Sequence, residues 1–354
     1  MVAIKKSTNN SPRLLLESLQ ILRYRCFESL IVNQLGRVNL IVGKNNVGKT
    51  AMLEALSIYA NGGSQRLLFK TLEQRNEIPS IENGNYHNTA NIRGVRNLFF
   101  NRPNLDHIAG AYPTELDNGL SFVIGENIDI SGEVPTLVNR MLQVRALRSP
   151  APDTVPQLDL VHTLPHTIDN LFIKAGGLSD EDLVGFWDNI EKWVLEDSVT
   201  KALNIIVPDL VDVRFSGYPL GSNTRIPVVR LAKAKERVPL RSLGDGMTRL
   251  LGIASAMINC QDGMLLVDEI ESGLHYSVLP DIWKLVFRTA KDLNIQVFAT
   301  THSKDCIEAF AIAAAESPED GMLIRLERQG ENIVAKTIEE DMLVDAVNFE
   351  VEVR

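Results

Sequence analysis

Eight consecutive residues, Gly43–Lys44–Asn45–Asn46–Val47–Gly48–Lys49–Thr50, combine a turning backbone with an ammonium and a hydroxyl at fixed spacing. Glycines let successive amides face an anion, and a helix opening directly after them adds its positive end. Lys49 can then reach the β- and γ-phosphates of a nucleoside triphosphate, and Thr50 can offer its hydroxyl to magnesium. The expected nucleotide contacts are Gly43, Asn45, Asn46, Gly48, Lys49, Thr50 and Ala51.

Three further strings supply what hydrolysis needs. In Leu265–Leu266–Val267–Asp268–Glu269 an apolar run ends in two carboxylates. Asp268 is suited to the magnesium shell, and Glu269 to orienting or deprotonating a water. In Gln296–Val297–Phe298–Ala299–Thr300–Thr301–His302 a second apolar run ends in hydroxyls and an imidazole, and His302 can meet a γ-phosphate or its attacking water. Ser242–Leu243–Gly244–Asp245–Gly246 precedes a helical stretch. Its hydroxyl and amides can grip phosphate, although the same string also makes an ordinary helix cap.

These residues need a frame. Val38 to Val42 is apolar apart from Asn39, as in a strand buried on both faces. Ala51 to Tyr59 reads as helix, ended by Asn61–Gly62–Gly63, so the loop has a strand before it and a helix after it. Leu19–Leu22 and Phe27–Val32 read as strands joined through Tyr24–Arg25. Residues 120–165 alternate short strands with turns at Pro150, Pro152, Pro156 and Pro165. Residues 179–206 carry a helical period capped by Ser179, with Leu183, Phe186, Trp187, Ile190, Val194 and Leu195 on one face, for the core or for a partner. Strands follow from Val211 to Ala232 around a loop at Gly217–Thr224. The α/β pattern then returns, with helices at Met247–Met257, Val278–Ala290 and Asp305–Ala315 and strands at Met264–Val267 and Gln296–Ala299. Leu323–Leu326 and Ile333–Ala335 read as a terminal hairpin. No repeat or sustained heptad pattern appears.

With 354 residues, 45% of them hydrophobic and 23% charged, the composition is that of a soluble globular chain. A formal charge of -9 argues against a surface coated for non-specific DNA binding, but leaves room for a local basic groove. The widely spaced Cys26, Cys260 and Cys306 have no metal-ligand spacing and fit a reduced, cytoplasmic setting. Neither a long apolar run nor a signal-peptide core is seen, so no membrane association is expected.

Taken together, these motifs resemble the ABC-type ATPases related to RecF, SMC proteins and the ATPase part of OLD-family nucleases, and more closely the small AAA-type ATPases of that group. The likeness is carried by residues 14–60 and 238–354. Gly43–Thr50 matches the family's Walker A loop, Leu265–Glu269 its Walker B strand, Ser242 and Gly244 its signature, and His302 its switch histidine. Glu271–His275 occupies the place of the D-loop. Leu243 and Asp245 depart from the transporter signature, and Gln65 is merely available as a Q-loop glutamine. Arg23 and Arg25 resemble basic residues that flank the nucleotide in relatives, and are equally at home as surface arginines.

The resemblance implies an α/β P-loop NTPase with an ABC-type ATPase head, a mixed sheet flanked by helices, and a helical and strand insertion. The expected division is residues 14–115 for the first part of the head, 116–236 for the insertion, and 237–354 for the second part. It implies ATP and Mg2+, and a homodimer in which Ser242 of each head reaches the γ-phosphate held by the other's Lys49. It also implies a separate nuclease or toxin effector chain, since Asp341, Glu350 and Glu352 do not form a metal site of their own. DNA is a further expected partner. Arg230, Lys233, Lys235, Arg237 and Arg241 can form part of a phosphate track or simply a solvated hairpin face. Two functions remain open on these grounds: an ATP-driven switch that handles DNA or an effector in genome maintenance or antiphage defence, and an ATP-bound scaffold with slow turnover.

Overall fold

A computed structural model of the chain describes residues 14–79, 94–102, 121–126, 140–147, 157–162, 166–217 and 224–338. Pro150, Pro152, Pro156 and Pro165, most of the loop between Gly217 and Thr224, and Asp341, Glu350 and Glu352 lie outside these residues.

The first strands, β1 (Leu19–Tyr24) and β2 (Phe27–Val32), form an antiparallel ribbon, and β3 (Val38–Val42) then leads through the glycine loop into α1 (Lys49–Ala60). Every residue of α1 except Thr50 is buried, Lys49, Glu54 and Ser57 included, because a sheet lies on each flank. Next come α2 (Gln65–Gln74), a 3-10 turn at Arg96–Leu98, and strands β4 (Ser121–Gly125), β5 (Met141–Leu147), β6 (Gln157–His162) and β7 (Asn170–Ile173). Helices α3 (Asp180–Trp193) and α4 (Glu196–Leu203) lead to β8 (Leu210–Gly217), β9 (Arg225–Leu231) and β10 (Val238–Pro239). The remaining order is α5 (Asp245–Asn259), β11 (Met264–Val267), α6 (Leu279–Asp292), β12 (Gln296–Thr300), α7 (Lys304–Ala314), β13 (Gly321–Gln329) and β14 (Asn332–Ile338).

A six-stranded sheet runs β14-β13-β3-β12-β11-β7, all parallel except β14. Alternation along its strands divides the core. Ile41, Leu266 and Phe298 pack on the side of α1, whereas Leu40, Leu265, Val267, Val297 and Ala299 pack with α5, α6 and α7 on the other. Asn39, fully buried in β3, has its amide satisfied: Oδ1 accepts the Gly36 amide, and Nδ2 donates to the Gly36 and Val297 carbonyls. An antiparallel sheet of order β2-β1-β4-β5-β6 covers the far side of α1. A three-stranded sheet, β10-β9-β8, joins α3 through Trp187 stacked on Phe215 with ring centroids 5.1 Å apart.

The segment expected as one insertion thus contributes strands to all three sheets, including β7 at the edge of the main one. Residues 179–206 do not form one helical face. Val194 takes φ +58° and closes α3, its amide reaching the Glu191 and Ile190 carbonyls, and α4 starts afresh at Glu196. Val194 is accordingly 80% exposed rather than in the core, which Leu183, Trp187 and Ile190 do enter. Ser179 caps α3, accepting from the Asp182 amide. Three elements go unannounced in the sequence pattern: α2, capped by Ser64, the four-residue β7 and the two-residue β10. Among the described residues no helix is long and apolar enough to cross a membrane.

Candidate functional site

Parallel strands deliver their C-terminal ends to one edge of a sheet, where loops can converge on a ligand. Here the register sets Val267 beside Ala299 and Thr300 beside Ile41, so the residues that follow β3, β11 and β12 emerge together. The glycine loop is held by steric necessity. Gly43 has φ +143°, and a Cβ there would sit 2.5 Å from the Leu326 carbonyl oxygen. At Gly48, φ is +88°, and a Cβ would meet Cys26 Sγ and the Phe27 ring at 2.6 Å. The Lys49 ammonium lies within the loop, donating to the Gly43 and Lys44 carbonyls at 2.7 and 3.0 Å. Burial draws its pKa below the usual lysine value, against the opposing pull of Asp268, Glu269 and Glu271.

Asp268 is almost enclosed, and hydroxyls from two elements meet it. Thr50 Oγ1 donates to its Oδ2 at 3.0 Å, and Thr300 Oγ1 donates to its Oδ1 at 2.6 Å. Thr300 Oγ1 also accepts the Glu269 amide at 2.9 Å. Glu269 takes φ +49°, and its Oε1 lies 3.4 Å from His302 Nε2, both side chains being partly exposed. The His302 amide donates to Glu271 Oε1 at 3.0 Å. Thr50 and Asp268 thus offer adjacent hard oxygens suited to Mg2+, an ion that takes much of its shell from water and phosphate. Among the described residues no group of three or more His, Cys, Asp or Glu side chains could hold a metal by itself.

A cleft of about 1050 Å³ opens over the loop, lined by Asn45, Asn46, Gly48, Lys49, Thr50, Ala51 and His302. Arg25, Arg75, Arg102 and Arg328 add positive charge to its walls. Arg25, buried in the β1–β2 turn at φ +51°, pairs with Glu54 at 2.9 Å and Glu77 at 2.8 Å. Arg23 does not line the cleft.

Ser242 and Gly244 are not brought to this cleft. Ser242 sits exposed in a 3-10 turn, and Gly244, at φ +110°, precedes α5 with open space where a Cβ would stand. Their loop instead adjoins the segment after Glu269: a Cβ on Gly246 would come within 2.7 Å of the Gly273 carbonyl oxygen. In the basic cluster, Arg230 and Arg237 both bind Asp212, whereas Lys233, Lys235 and Arg241 stay exposed. Arg249 is a structural member of this site that no motif marked, and Thr300, named only as a hydroxyl at its strand end, proves to be another. Both act on the main chain or on a carboxylate across elements far apart in sequence.

Residues 192–305, which include Ser242, Asp268, Glu269 and His302, match the family described as "AAA domain, putative AbiEii toxin, Type IV TA system". The chain is 24% identical to an "ATP/GTP phosphatase" of Helicobacter pylori, over 83% of this chain and 87% of that protein. It is 33% identical to the uncharacterized protein MJECL11 of Methanocaldococcus jannaschii, over 26% of this chain and 82% of that protein. Among solved structures, an Smc head bound to the C-terminal winged-helix domain of ScpA superposes with a TM-score of 0.53 at 12% identity, covering 93% of this chain and 99% of that one. An Smc head with an extended coiled coil, bound to the C-terminal domain of ScpA derived from Pyrococcus furiosus, gives 0.52 at 10% identity, covering 95% and 99%. Over the segment shared with the Methanocaldococcus protein the chain belongs to that protein's family, and its fold is that of an ABC-type ATPase head as found in SMC proteins.

Proposed function

We propose that the chain hydrolyses ATP at a site completed by a second copy, and that closing and opening of this dimer drives DNA processing or controls an effector chain. The observation that carries the reading is the meeting of Thr50, Asp268 and Thr300 beside the Glu269–His302 contact, at the sheet edge that holds Lys49. In this reading Lys49 and the loop amides hold the β- and γ-phosphates. Thr50 and Asp268 hold Mg2+, which when bound neutralises charge on the phosphate oxygens. Glu269 takes the proton of the attacking water, and His302 stabilises the same region from the neighbouring strand. Exposed Ser242 and Gly244, which do not line their own cleft, serve the γ-phosphate held by the partner. ATP therefore favours the closed pair, and its loss favours the open one.

The hydrolase named in Helicobacter pylori supports turnover over mere scaffolding. The toxin-system description and the ScpA-bound Smc heads support a role in which the head works on a separate chain, as in the small RecF- and OLD-like ATPases without a fused nuclease. Lys233, Lys235 and Arg241 are the residues to engage a DNA backbone.

Phosphate release and light scattering, with and without ATP, test the reading. Glu269→Gln should cut hydrolysis by about 10²-fold or more while accumulating ATP-bound dimer. Unchanged phosphate release in that variant removes Glu269 from the chemistry, and a monomer at saturating ATP removes the composite site. Salt-sensitive DNA binding that weakens on neutralising Lys233 and Lys235 supports the DNA branch, and no binding at low salt supports a protein effector.

A further inference from the structure

Arg249 projects from α5 into the interior and is only 6% exposed. Its Nη2 donates to the Asp268 carbonyl at 2.7 Å and the Glu269 carbonyl at 2.9 Å, and its Nη1 donates to the Lys174 carbonyl, just past β7, at 2.8 Å. The first two acceptors belong to the peptide planes on either side of the Glu269 Cα. Fixing both planes fixes both backbone dihedrals of Glu269, and with them the direction of its side chain. That matters because Glu269 stands at φ +49°, a left-handed conformation that a residue with a Cβ holds only when its surroundings impose it. The Thr300 hydroxyl holds the amide of the same residue, so Glu269 is pinned from α5 on one side and β12 on the other.

Charge completes the arrangement. Burial draws the Arg249 pKa below the usual guanidinium value, while Glu271, Asp268 and Glu269 favour its charge. Arg249 Nε and Glu271 Oε2 are both buried without a partner, and Glu271 Oε1 holds the His302 amide. The carboxylate that holds the His302 amide thus also favours the charge of the guanidinium that holds the Glu269 carbonyl.

We propose that Arg249 is a positioning residue for Glu269, and that it couples the segment carrying Ser242 and Gly244 to this chain's own water-activating carboxylate. The inference rests on the hydrolytic reading above. It goes further in giving the two ATP sites of a dimer a rigid link: contact of one head's α5 N-terminus with the partner's nucleotide bears, through Arg249, on the carboxylate of the first head's own site.

Arg249→Lys keeps the charge and the apolar stem but replaces a planar fork with a point donor that cannot hold both carbonyls alike. Its kcat should fall by about 10²-fold, the penalty for a reacting group misplaced by about an ångström. Equilibrium affinity for a fluorescent ATP analogue should stay near that of the wild type, while the melting temperature falls modestly from the carbonyls left without a partner. In the Glu269→Gln background the same substitution should have little further effect, because a positioning residue has no work left once its target is gone. Wild-type kcat in Arg249→Lys overturns the proposal. So does a loss of the same factor in both backgrounds, or a kcat loss matched by equal loss of nucleotide affinity. Arg249→Gln serves the same comparison where Arg249→Lys does not fold. If Glu269→Gln alone hydrolyses ATP at the wild-type rate, the hydrolytic assignment of Glu269 has failed, and the result is distinct from any failure of Arg249.

Discussion

The Thr300 hydroxyl, fully buried at the end of β12, donates to Asp268 Oδ1 at 2.6 Å while accepting the Glu269 amide. One side chain therefore sets the orientation of a carboxylate and of the backbone that carries the next one. Thr300→Val keeps the shape of the residue and removes only the hydroxyl, leaving the Glu269 amide and an Asp268 oxygen without that partner. A buried group stripped of its hydrogen bond costs about 1–3 kcal/mol. We expect a destabilisation of that size in chemical denaturation, together with at least a several-fold loss of ATP hydrolysis. Thr300→Ser, which retains the hydroxyl, should recover most of the activity. Equal activity in the valine and serine variants would show that Thr300 does not orient the site.

Asp212, on β8, binds Arg237 and Arg230. Hydrogen bonding from Arg237, then from Arg230, holds its carboxyl below the usual carboxylate range despite partial burial. The folded state thus binds this proton more weakly than the unfolded chain does. The stabilisation is complete above the unfolded aspartate pKa, near about 4, and is lost as pH falls through the lower folded value. Asp212→Asn should flatten that part of the curve of denaturant midpoint against pH. It should also free Arg230 and Arg237, raising salt-sensitive affinity for DNA if this face carries a phosphate track. A variant whose acid slope matches the wild type would exclude Asp212 from the acid response.

Positions fixed by local chemistry were the legible ones. A phosphate loop needs glycines at fixed spacing between strand and helix, here Gly43 and Gly48, and a buried strand ending in Asp268–Glu269 announces itself by the abrupt change from apolar to charged. Parallel strands then bring such ends together, which is why the common sheet edge of Lys49, Asp268 and His302 followed from order alone. Arg249 was not legible, because its acceptors are main-chain carbonyls, which every residue type provides. β7 was hidden for a related reason: Asn170–Ile173 is four residues long and acquires its identity only by pairing with β11. The helical period through residue 194 concealed a break, since a left-handed backbone at valine has no compositional signal.

That break makes a prediction of its own. Val194 has φ +58° with its side chain 80% exposed, so its apolar surface gains little while its branched Cβ opposes the backbone. Glycine adopts this conformation freely and is the usual residue where a helix ends this way. Val194→Gly should stabilise the protein by about 1 kcal/mol, offset in part by the greater freedom of glycine in the unfolded chain. A lower denaturation midpoint would mean that Val194 makes contacts that outweigh its strain.

The separation of Ser242 from the cleft that holds Lys49 gives the sharpest test of a shared site. In the proposed two-fold dimer each site would draw Lys49 from one head and Ser242 from the other. Lys49→Ala and Ser242→Ala homodimers each lack one part at both sites, so both should hydrolyse ATP poorly. A mixed dimer restores one site, since the head with intact Lys49 meets the head with intact Ser242, while the opposite site loses both. Random pairing of equal amounts makes half the dimers mixed, each with one complete site, so activity should recover to about a quarter of the wild-type level. Recovery should depend on total protein concentration, because it requires subunit exchange. If the mixture hydrolyses no faster than the mean of its two components, Ser242 works within its own head or outside the chemistry altogether.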